Sequence, residues 1–300
     1  MNAYVQKIRD EFGQGDAKRD AVQKTPEDVM RFDDISYGTD DPELQKLDVY
    51  RPKDRSGKLP VILSIHGGGW VYGTKDVYQW YCMSLAERGF AVVNYSYRLA
   101  PEYRYPASFE DTSAAAQWII DHAEQYGFDT AHIFGVGDSA GAHMLSVYAA
   151  ALTNEQYKVP YVLPKGFAFQ AIALNCGIYD FASNSLGDRD PVIQYFLPDN
   201  CQETLYKEIS TIHWINENYP PCFIMTCPGD FLNAAPEKLI PVLKKNSIPF
   251  VYRTYGSAKH PLAHVFHCNM RLQEAALCND EECSFFNTFI NDVSQASCHE

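Results

Sequence analysis

The sequence predicts an α/β fold in which helices flank a mostly parallel central sheet. Short apolar runs recur from about residue 45 onward, and helical patterns of about 10 to 20 residues separate them. Several runs are almost continuously apolar, as expected for parallel strands that helices cover on both faces. The chain shows no internal repeat and no low-complexity linker. We therefore expect residues 1–300 to form a single domain.

The first half of the chain supplies three predicted strands: Leu47–Tyr50, Val61–Ile65 and Phe90–Tyr95. The first alternates in polarity and predicts an exposed early strand, whereas the other two are continuous enough to predict buried strands. A helical pattern over Val77–Arg88 separates the second strand from the third. Pro106 then begins a long helix, a favoured position for proline, and Gly127 ends it.

The second half continues the alternation with four predicted strands: Ala131–Val136, Phe169–Leu174, Cys222–Thr226 and Phe250–Tyr255.

Two segments break the pattern. Residues 1–30 form a helical prelude that ends near Pro26, and residues 181–219 interrupt the core with mixed aromatic and helical patterns. An excursion of this kind inside a compact domain is usually functional. We expect both segments to form a cap over one sheet edge; a peripheral helical bundle is the alternative.

Composition limits the partners of this protein. The net charge of −13 argues against nucleic acid and anionic membranes, although it also serves solubility. No apolar run reaches about 18 residues, so no membrane span is expected. The nine cysteines form no C-x-x-C pair, and the N-terminus has no apolar signal segment. These features predict reduced thiols, a cytoplasmic location and no metal site.

The strongest motif is a serine between two glycines, Gly137-Asp138-Ser139-Ala140-Gly141. It lies between the predicted strand Ala131–Val136 and a helical pattern over Ala142–Leu152. A G-x-S-x-G pentapeptide in this context is a nucleophile elbow, a tight turn that exposes a strained serine. The following helix N-terminus favours negative charge that develops nearby. Ser139 is therefore the predicted nucleophile.

A glycine loop follows the strand Val61–Ile65 and reads His66-Gly67-Gly68-Gly69-Trp70. Acyl transfer develops an oxyanion, which bare backbone amides stabilise when they approach within about 3 Å. Loops of this H-G-G-G type form such oxyanion holes. We predict donors at the amides of Gly67, Gly68 and Ala140, and we expect His66 to hydrogen-bond the loop backbone. A turn without a functional role is the alternative.

A serine nucleophile needs a base and a carboxylate that orients the base. Asp230 follows the strand Cys222–Thr226, at the carboxyl edge where ligand-side residues of parallel sheets emerge. A loop-capping role is its alternative. Three histidines follow the last predicted strand: His260, His264 and His267. Chain order alone does not separate them.

Together, the motifs resemble the hormone-sensitive-lipase-like family of α/β-hydrolases over roughly residues 45–290. The resemblance rests on HGGGW, GDSAG, Tyr97-Arg98-Leu99-Ala100-Pro101-Glu102, Pro220-Pro221 and Asp230. It implies an α/β-hydrolase fold with an N-terminal helical cap and a cofactor-free serine mechanism. It also implies short to medium acyl esters as small-molecule substrates. The family's catalytic histidine precedes a small residue and a phenylalanine, which implies His264 before Val265-Phe266.

The sequence is also consistent with several functions other than ester hydrolysis. The loop with Trp70 also resembles that of kynurenine formamidases, so an amide hydrolase is one alternative; a deacetylase of acetylated carbohydrates is another. A small-molecule receptor on a hydrolase fold is the non-enzymatic alternative. Gly135-Val136-Gly137-Asp138-Ser139-Ala140 also matches the dinucleotide pattern G-x-G-x-x-A, but it lacks the acidic partner expected about 20 residues later. A homodimer remains open.

Two local pairings are expected near these motifs. Arg98 and Glu102 have opposite charges four residues apart, and the prolines around them stiffen the segment. We expect them to pair and to support the glycine loop. Asp138, next to the nucleophile, is expected to hydrogen-bond neighbouring backbone.

Overall fold

The computed structural model describes residues 2–182 and 191–291. Its strands are β1 (Val29–Ser36), β2 (Lys46–Pro52), β3 (Leu59–Ile65), β4 (Ala91–Tyr95), β5 (Phe128–Asp138), β6 (Ala171–Asn175), β7 (Cys222–Thr226) and β8 (Phe250–Thr254). They form one eight-stranded sheet in the order β1-β2-β4-β3-β5-β6-β7-β8. The β1–β2 and β2–β4 pairs are antiparallel, and every other pair is parallel. The predicted α/β class is confirmed.

The helices are α1 (Ala3–Asp20), α2 (Lys75–Glu87), α3 (Ala107–Asp121), α4 (Ala123–Tyr126), α5 (Ala140–Thr153), α6 (Ile193–Phe196), α7 (Glu203–Glu208), α8 (Pro236–Lys245) and α9 (Gln273–Asn291). Thr211–His213 and Phe266–Cys268 form short 3-10 helices. Buried apolar residues form two clusters. Within β3, Leu63 belongs to one cluster and its neighbour Ile62 to the other, so this strand is covered on both faces. That double coverage explains its continuous apolar sequence.

The beginning of the sheet differs from the prediction. Strand β2 is buried rather than exposed, with Leu47 in one apolar cluster and Tyr50 in the other. The reason is β1, which the sequence analysis missed and which makes β2 an interior strand. Between Phe32 and Ile35 the register of β1 shifts, so the strand lacks the regular alternation that identifies strands.

The helix predicted from Pro106 to Gly127 is divided in two. Helix α3 ends before His122, and the short α4 follows it. Gly127 ends α4 in the left-handed conformation, with φ of 62°, as expected for a residue that terminates a helix. The predicted start and end are therefore correct, and the interruption at His122 is the correction.

Helix α1 lies against the glycine loop. The Arg9 guanidinium donates to the carbonyls of Val71 and Ala100 and pairs with both carboxylate oxygens of Glu102. About two turns further along the helix, the Tyr72 hydroxyl donates to Asp16. These bonds anchor α1 next to the loop that the sequence analysis assigned to the oxyanion.

The second predicted cap segment, 181–219, lies partly outside the described residues, because positions 183–190 are not among them. Its described part contains α6, α7 and the 3-10 helix Thr211–His213. The ring of Tyr195 in α6 stacks on Tyr4 of α1, with centroids 5.9 Å apart. The two predicted cap segments therefore contact each other. Within 2–182 and 191–291, no helix has the length and apolar character needed to cross a membrane.

Candidate active site

Ser139 lies in the sharp turn between β5 and α5. Its φ of 51° and ψ of −117° form a strained conformation for a residue with a side chain. A Cβ on Gly137 would lie 2.6 Å from the carbonyl oxygen of Gly141, and one on Gly141 would lie 2.0 Å from that of Ile65. Gly137 is thus required by the turn itself, and Gly141 by the close approach of β3. The Ser139 amide donates to the carbonyl of Asn175 at 2.9 Å, which fixes the turn against β6.

Asp230 and His264 meet although 34 residues separate them. The His264 Nδ1–H donates to Asp230 Oδ1 at 2.6 Å. Asp230 is 1% exposed, and it also accepts from the Leu232 amide and the Thr226 hydroxyl, each at 2.8 Å. Burial acts to raise the pKa of Asp230, but the hydrogen bond from His264 and the other donors lower it overall. The carboxylate is therefore ionised at neutral pH and fixes the His264 tautomer.

The structure separates the three candidate histidines. His260 is exposed and contacts Glu274 at 3.1 Å. His267 is fully buried, and its Nε2 lies 3.5 Å from the Sγ of Cys268. Only His264, of these three, contacts Asp230.

Ser139 and His264 line one cavity of about 990 Å³. The two cap segments form part of its wall with apolar and aromatic side chains: Tyr4, Ile8, Phe12, Val192, Ile193 and Tyr206. Among the residues that the structure describes, the Ser139 hydroxyl makes no hydrogen bond to His264. Such contacts are often long before substrate binds. The cavity therefore holds the nucleophile and base candidates beneath the predicted cap segments.

The backbone amides of the glycine loop differ in whether they already donate a hydrogen bond within the protein. The Gly67 amide donates to the Tyr78 hydroxyl at 3.0 Å, so it is already used within the protein. Gly68 and Gly69 have φ of 110° and 60°, and their amides donate to no group in the described ranges. Ala140 is the first residue of α5, where helix amides lack an internal acceptor. Of the three predicted donors, the Gly67 amide is thus engaged within the protein, and the roles of Gly68 and Ala140 stay predictions.

Tyr78 and His66 hold the glycine loop. The Tyr78 hydroxyl donates to Asp138 Oδ2 at 2.8 Å while it accepts from the Gly67 amide. The His66 Nδ1–H donates to the Gly67 carbonyl at 2.8 Å, which confirms its predicted role. Burial lowers the pKa of His66 to about 4, so the ring is neutral. The His66 ring also stacks on Tyr97, with centroids 4.0 Å apart. We therefore interpret His66 as a structural residue.

Two predicted pairings are wrong. Arg98 pairs with Asp111 at 3.0 Å and Glu110 at 2.8 Å, whereas Glu102 pairs with Arg9 of α1 at 2.6 Å. Asp138 accepts from the Tyr78 side chain rather than from neighbouring backbone. In each case a partner distant in sequence replaces the local one. Burial raises the pKa of Asp138 to about 7.

Among the described residues, two groups of potential metal ligands lie in or beside the site. Cys176, Asp230 and His264 form one, and Asp138, His267 and Cys268 form the other. Within each group the ligand atoms lie within 4.8 Å of one another.

Comparison with solved structures agrees with this fold. Esterase B from Lactobacillus rhamnosis superposes with a TM-score of 0.89 at 26% identity, over 99% of this chain and 98% of that one. The fold is that of a hormone-sensitive-lipase-like α/β-hydrolase. The resemblance deduced from the motifs is confirmed.

The family is shown by sequence as well. The BD-FAE family model matches residues 47–233, more than half of the chain, and the chain belongs to this family. Esterase LipC of Mycobacterium tuberculosis is 29% identical over 64% of this chain and 49% of its own length. Ethyl acetate hydrolase of Pseudomonas putida is 28% identical over 72% of this chain and 62% of its own length. The chain thus spans about half the length of the curated relatives it matches.

Proposed function

We propose that this protein hydrolyses carboxylic esters of short to medium acyl chains through Ser139, His264 and Asp230. One observation carries the proposal: the 2.6 Å bond between His264 and Asp230, with Ser139 strained into the same cavity as that histidine. Such a constellation is recognised by its geometry and its roles. The esterase names of the relatives support the same reaction class.

The mechanism follows from these positions. Because Nδ1–H of His264 is committed to Asp230, the neutral ring keeps its lone pair on Nε2. That nitrogen takes the Ser139 proton as the hydroxyl oxygen attacks the ester carbonyl. The imidazolium then protonates the departing alcohol. Water repeats the sequence on the acyl-enzyme, and the serine is restored.

The oxyanion is stabilised by backbone amides in this proposal. Gly68, Gly69 and Ala140 supply the donors, because the Gly67 amide is occupied by Tyr78. A Cβ on Gly68 would lie 2.1 Å from the Tyr72 carbonyl oxygen, so only glycine permits the loop to take this path. The N-terminus of α5 adds a favourable field for negative charge.

The cavity supports small esters as substrates. Its volume of about 990 Å³ lies in the upper range of small-molecule sites, which run from about 300 to 1,000 Å³. One curated relative is named an ethyl acetate hydrolase, and esterase B has been crystallised with a C4-C4 tributyrin phosphonate inhibitor. These names support acyl groups of a few carbons.

The first prediction is that Ser139→Ala lowers kcat by about a million-fold, because the nucleophile is lost. Nitrophenyl esters of increasing acyl length, assayed with purified full-length protein, measure this loss. Ser56→Ala, at an exposed position, is the control and keeps full activity. A Ser139→Ala protein that retains more than about a thousandth of the activity would refute the assignment.

The same assay separates the alternative functions. Formylkynurenine tests amide hydrolysis and acetylated xylo-oligosaccharides test carbohydrate deacetylation. Turnover of either above that of the nitrophenyl esters would replace the proposed substrate class. If a fluorophosphonate probe fails to label Ser139, the receptor reading gains support instead.

A further inference from the structure

We propose that Cys176, Asp230 and His264 form an inhibitory binding site for a thiophilic divalent cation such as Zn²⁺ or Cd²⁺. A cysteine sulfur, a carboxylate oxygen and an imidazole nitrogen lie within 4.8 Å of one another in this group. These are the three ligand types that zinc prefers. The three ligands are distant in sequence and meet only in the folded protein. The spacing of the cysteines therefore could not predict this site.

The geometry of the group is close to that of a metal site. Zinc bonds of about 2.0 to 2.3 Å at tetrahedral angles place ligand atoms about 3.5 Å apart, so closure requires each pair to approach by at most about 1.3 Å. Cys176 follows β6 and has a φ of 48°, an uncommon conformation for a non-glycine residue. Its amide donates to the Met225 carbonyl at 2.9 Å, which fixes the residue beside β7. Strained residues of this kind cluster at functional sites.

Access distinguishes this group from the second one. In the first group, the His264 side chain is 20% exposed and lines the cavity, whereas Cys176 and Asp230 are buried, so a cation enters this group at His264. Asp138, His267 and Cys268 are all buried. A metal site requires an entry path as well as ligands. We therefore assign the cation to the first group only.

Binding of a cation removes the base. A neutral imidazole has one lone pair, and a cation that takes it leaves the other nitrogen carrying N–H. Whichever nitrogen binds, His264 then cannot accept the Ser139 proton, and the Cys176 thiol proton passes to solvent. The loss of turnover rests on the proposed function, whereas binding itself does not. Loss of a general base costs about a hundredfold or more in rate.

The experiment titrates the full-length protein with Zn²⁺ and Cd²⁺. We expect saturating Zn²⁺ to lower ester turnover by about a hundredfold, EDTA to restore it, and Cd²⁺ to produce an ultraviolet thiolate charge-transfer band. Cys176→Ala should keep basal turnover but lose both the inhibition and the band. Cys268→Ala, which removes the thiol of the second group, should retain both.

The outcomes separate the two proposals. Inhibition and a band that persist in Cys176→Ala overturn the metal site, as does wild-type turnover without either signal. A band that depends on Cys176 in a protein without esterase activity keeps the site and refutes the proposed function. If Cys176→Ala does not fold, Cys176→Ser keeps the side-chain size, and it should bind Cd²⁺ at least about tenfold more weakly because oxygen is a harder ligand.

Discussion

At the scale of single residues, Tyr78 connects the two halves of the candidate site. Its hydroxyl accepts from the Gly67 amide and donates to Asp138, the residue before the proposed nucleophile. All three residues are buried, so removal of the hydroxyl deprives two buried polar groups of their partner. The hydroxyl thereby fixes the glycine loop relative to the elbow. Tyr78 is in our interpretation a positioning residue for the oxyanion donors.

We therefore predict that Tyr78→Phe lowers kcat by about tenfold or more while KM stays within about twofold. The loop amides lose their anchor, and donors that are misplaced at the oxyanion weaken only the transition state. Steady-state kinetics with a nitrophenyl ester measures both constants. Tyr148→Phe is a matched control, because that buried hydroxyl contacts Ser113 rather than the glycine loop. An unchanged kcat in Tyr78→Phe would show that the loop needs no anchor.

At the scale of elements, some parts of the fold could be predicted because their sequence pattern is local. The elbow was predictable because its five residues form a contiguous motif: a side chain on Gly137 would collide with Gly141 inside the turn, and one on Gly141 would collide with the end of β3. The covered strand β3 was predictable because burial on both faces leaves a continuous apolar run. The residues selected for the triad follow from such motifs, and their catalytic roles stay predictions.

The missed features all depend on distant partners. Arg98 binds Asp111 rather than Glu102, which Arg9 reaches across 93 residues. Tyr78 carries no motif that separates it from an ordinary core tyrosine. Strand β1 is an irregular edge strand, and no residue pattern shows what will pair with it. Sequence patterns report burial and turns, whereas these contacts are decided by the assembled tertiary structure.

Helix α1 supports a prediction about the cap. Arg9 holds it to Glu102 and to two carbonyls of the underlying loops. We expect Arg9→Gln to lower the free energy of unfolding by about 1 kcal/mol, since the pair is partly exposed. It should also raise KM more than it lowers kcat, because α1 lines the cavity rather than the reacting atoms.

Urea unfolding, limited proteolysis and ester kinetics measure these effects of Arg9→Gln. Lys7→Gln lies on the same helix and removes an ion pair that is largely solvent-exposed, so it should behave like the wild type. Equal protease resistance of α1 in the Arg9 variant and the wild type would argue against an anchoring role.

At the scale of the whole molecule, a buried carboxyl couples stability to pH. Glu282 of α9 is fully buried and accepts from the Tyr81 hydroxyl at 2.8 Å and from the Asn175 side-chain amide at 2.7 Å. The backbone of Asn175 in turn accepts from the Ser139 amide. Burial raises the pKa of Glu282 from 4.5 to about 7. Helix α9 thus contacts β6, the strand whose Asn175 carbonyl binds the Ser139 amide.

We predict that the wild type loses stability relative to Glu282→Gln as the pH rises from about 4.5 to about 7. In this window the unfolded carboxyl has released its proton while the folded one retains it, so rising pH favours unfolding by up to about 1.4 kcal/mol per pH unit. The glutamine stays neutral, and its N–H can donate to Asn175 Oδ1, which has no partner among the described residues. Urea unfolding across this pH range measures the difference. Glu217→Gln removes the same charge at an exposed position and should follow the wild-type curve. If the free energies of unfolding of Glu282→Gln and the wild type change in parallel with pH, ionisation of Glu282 does not cause the pH dependence. Removal of its proton would then leave the stability of the folded protein unchanged.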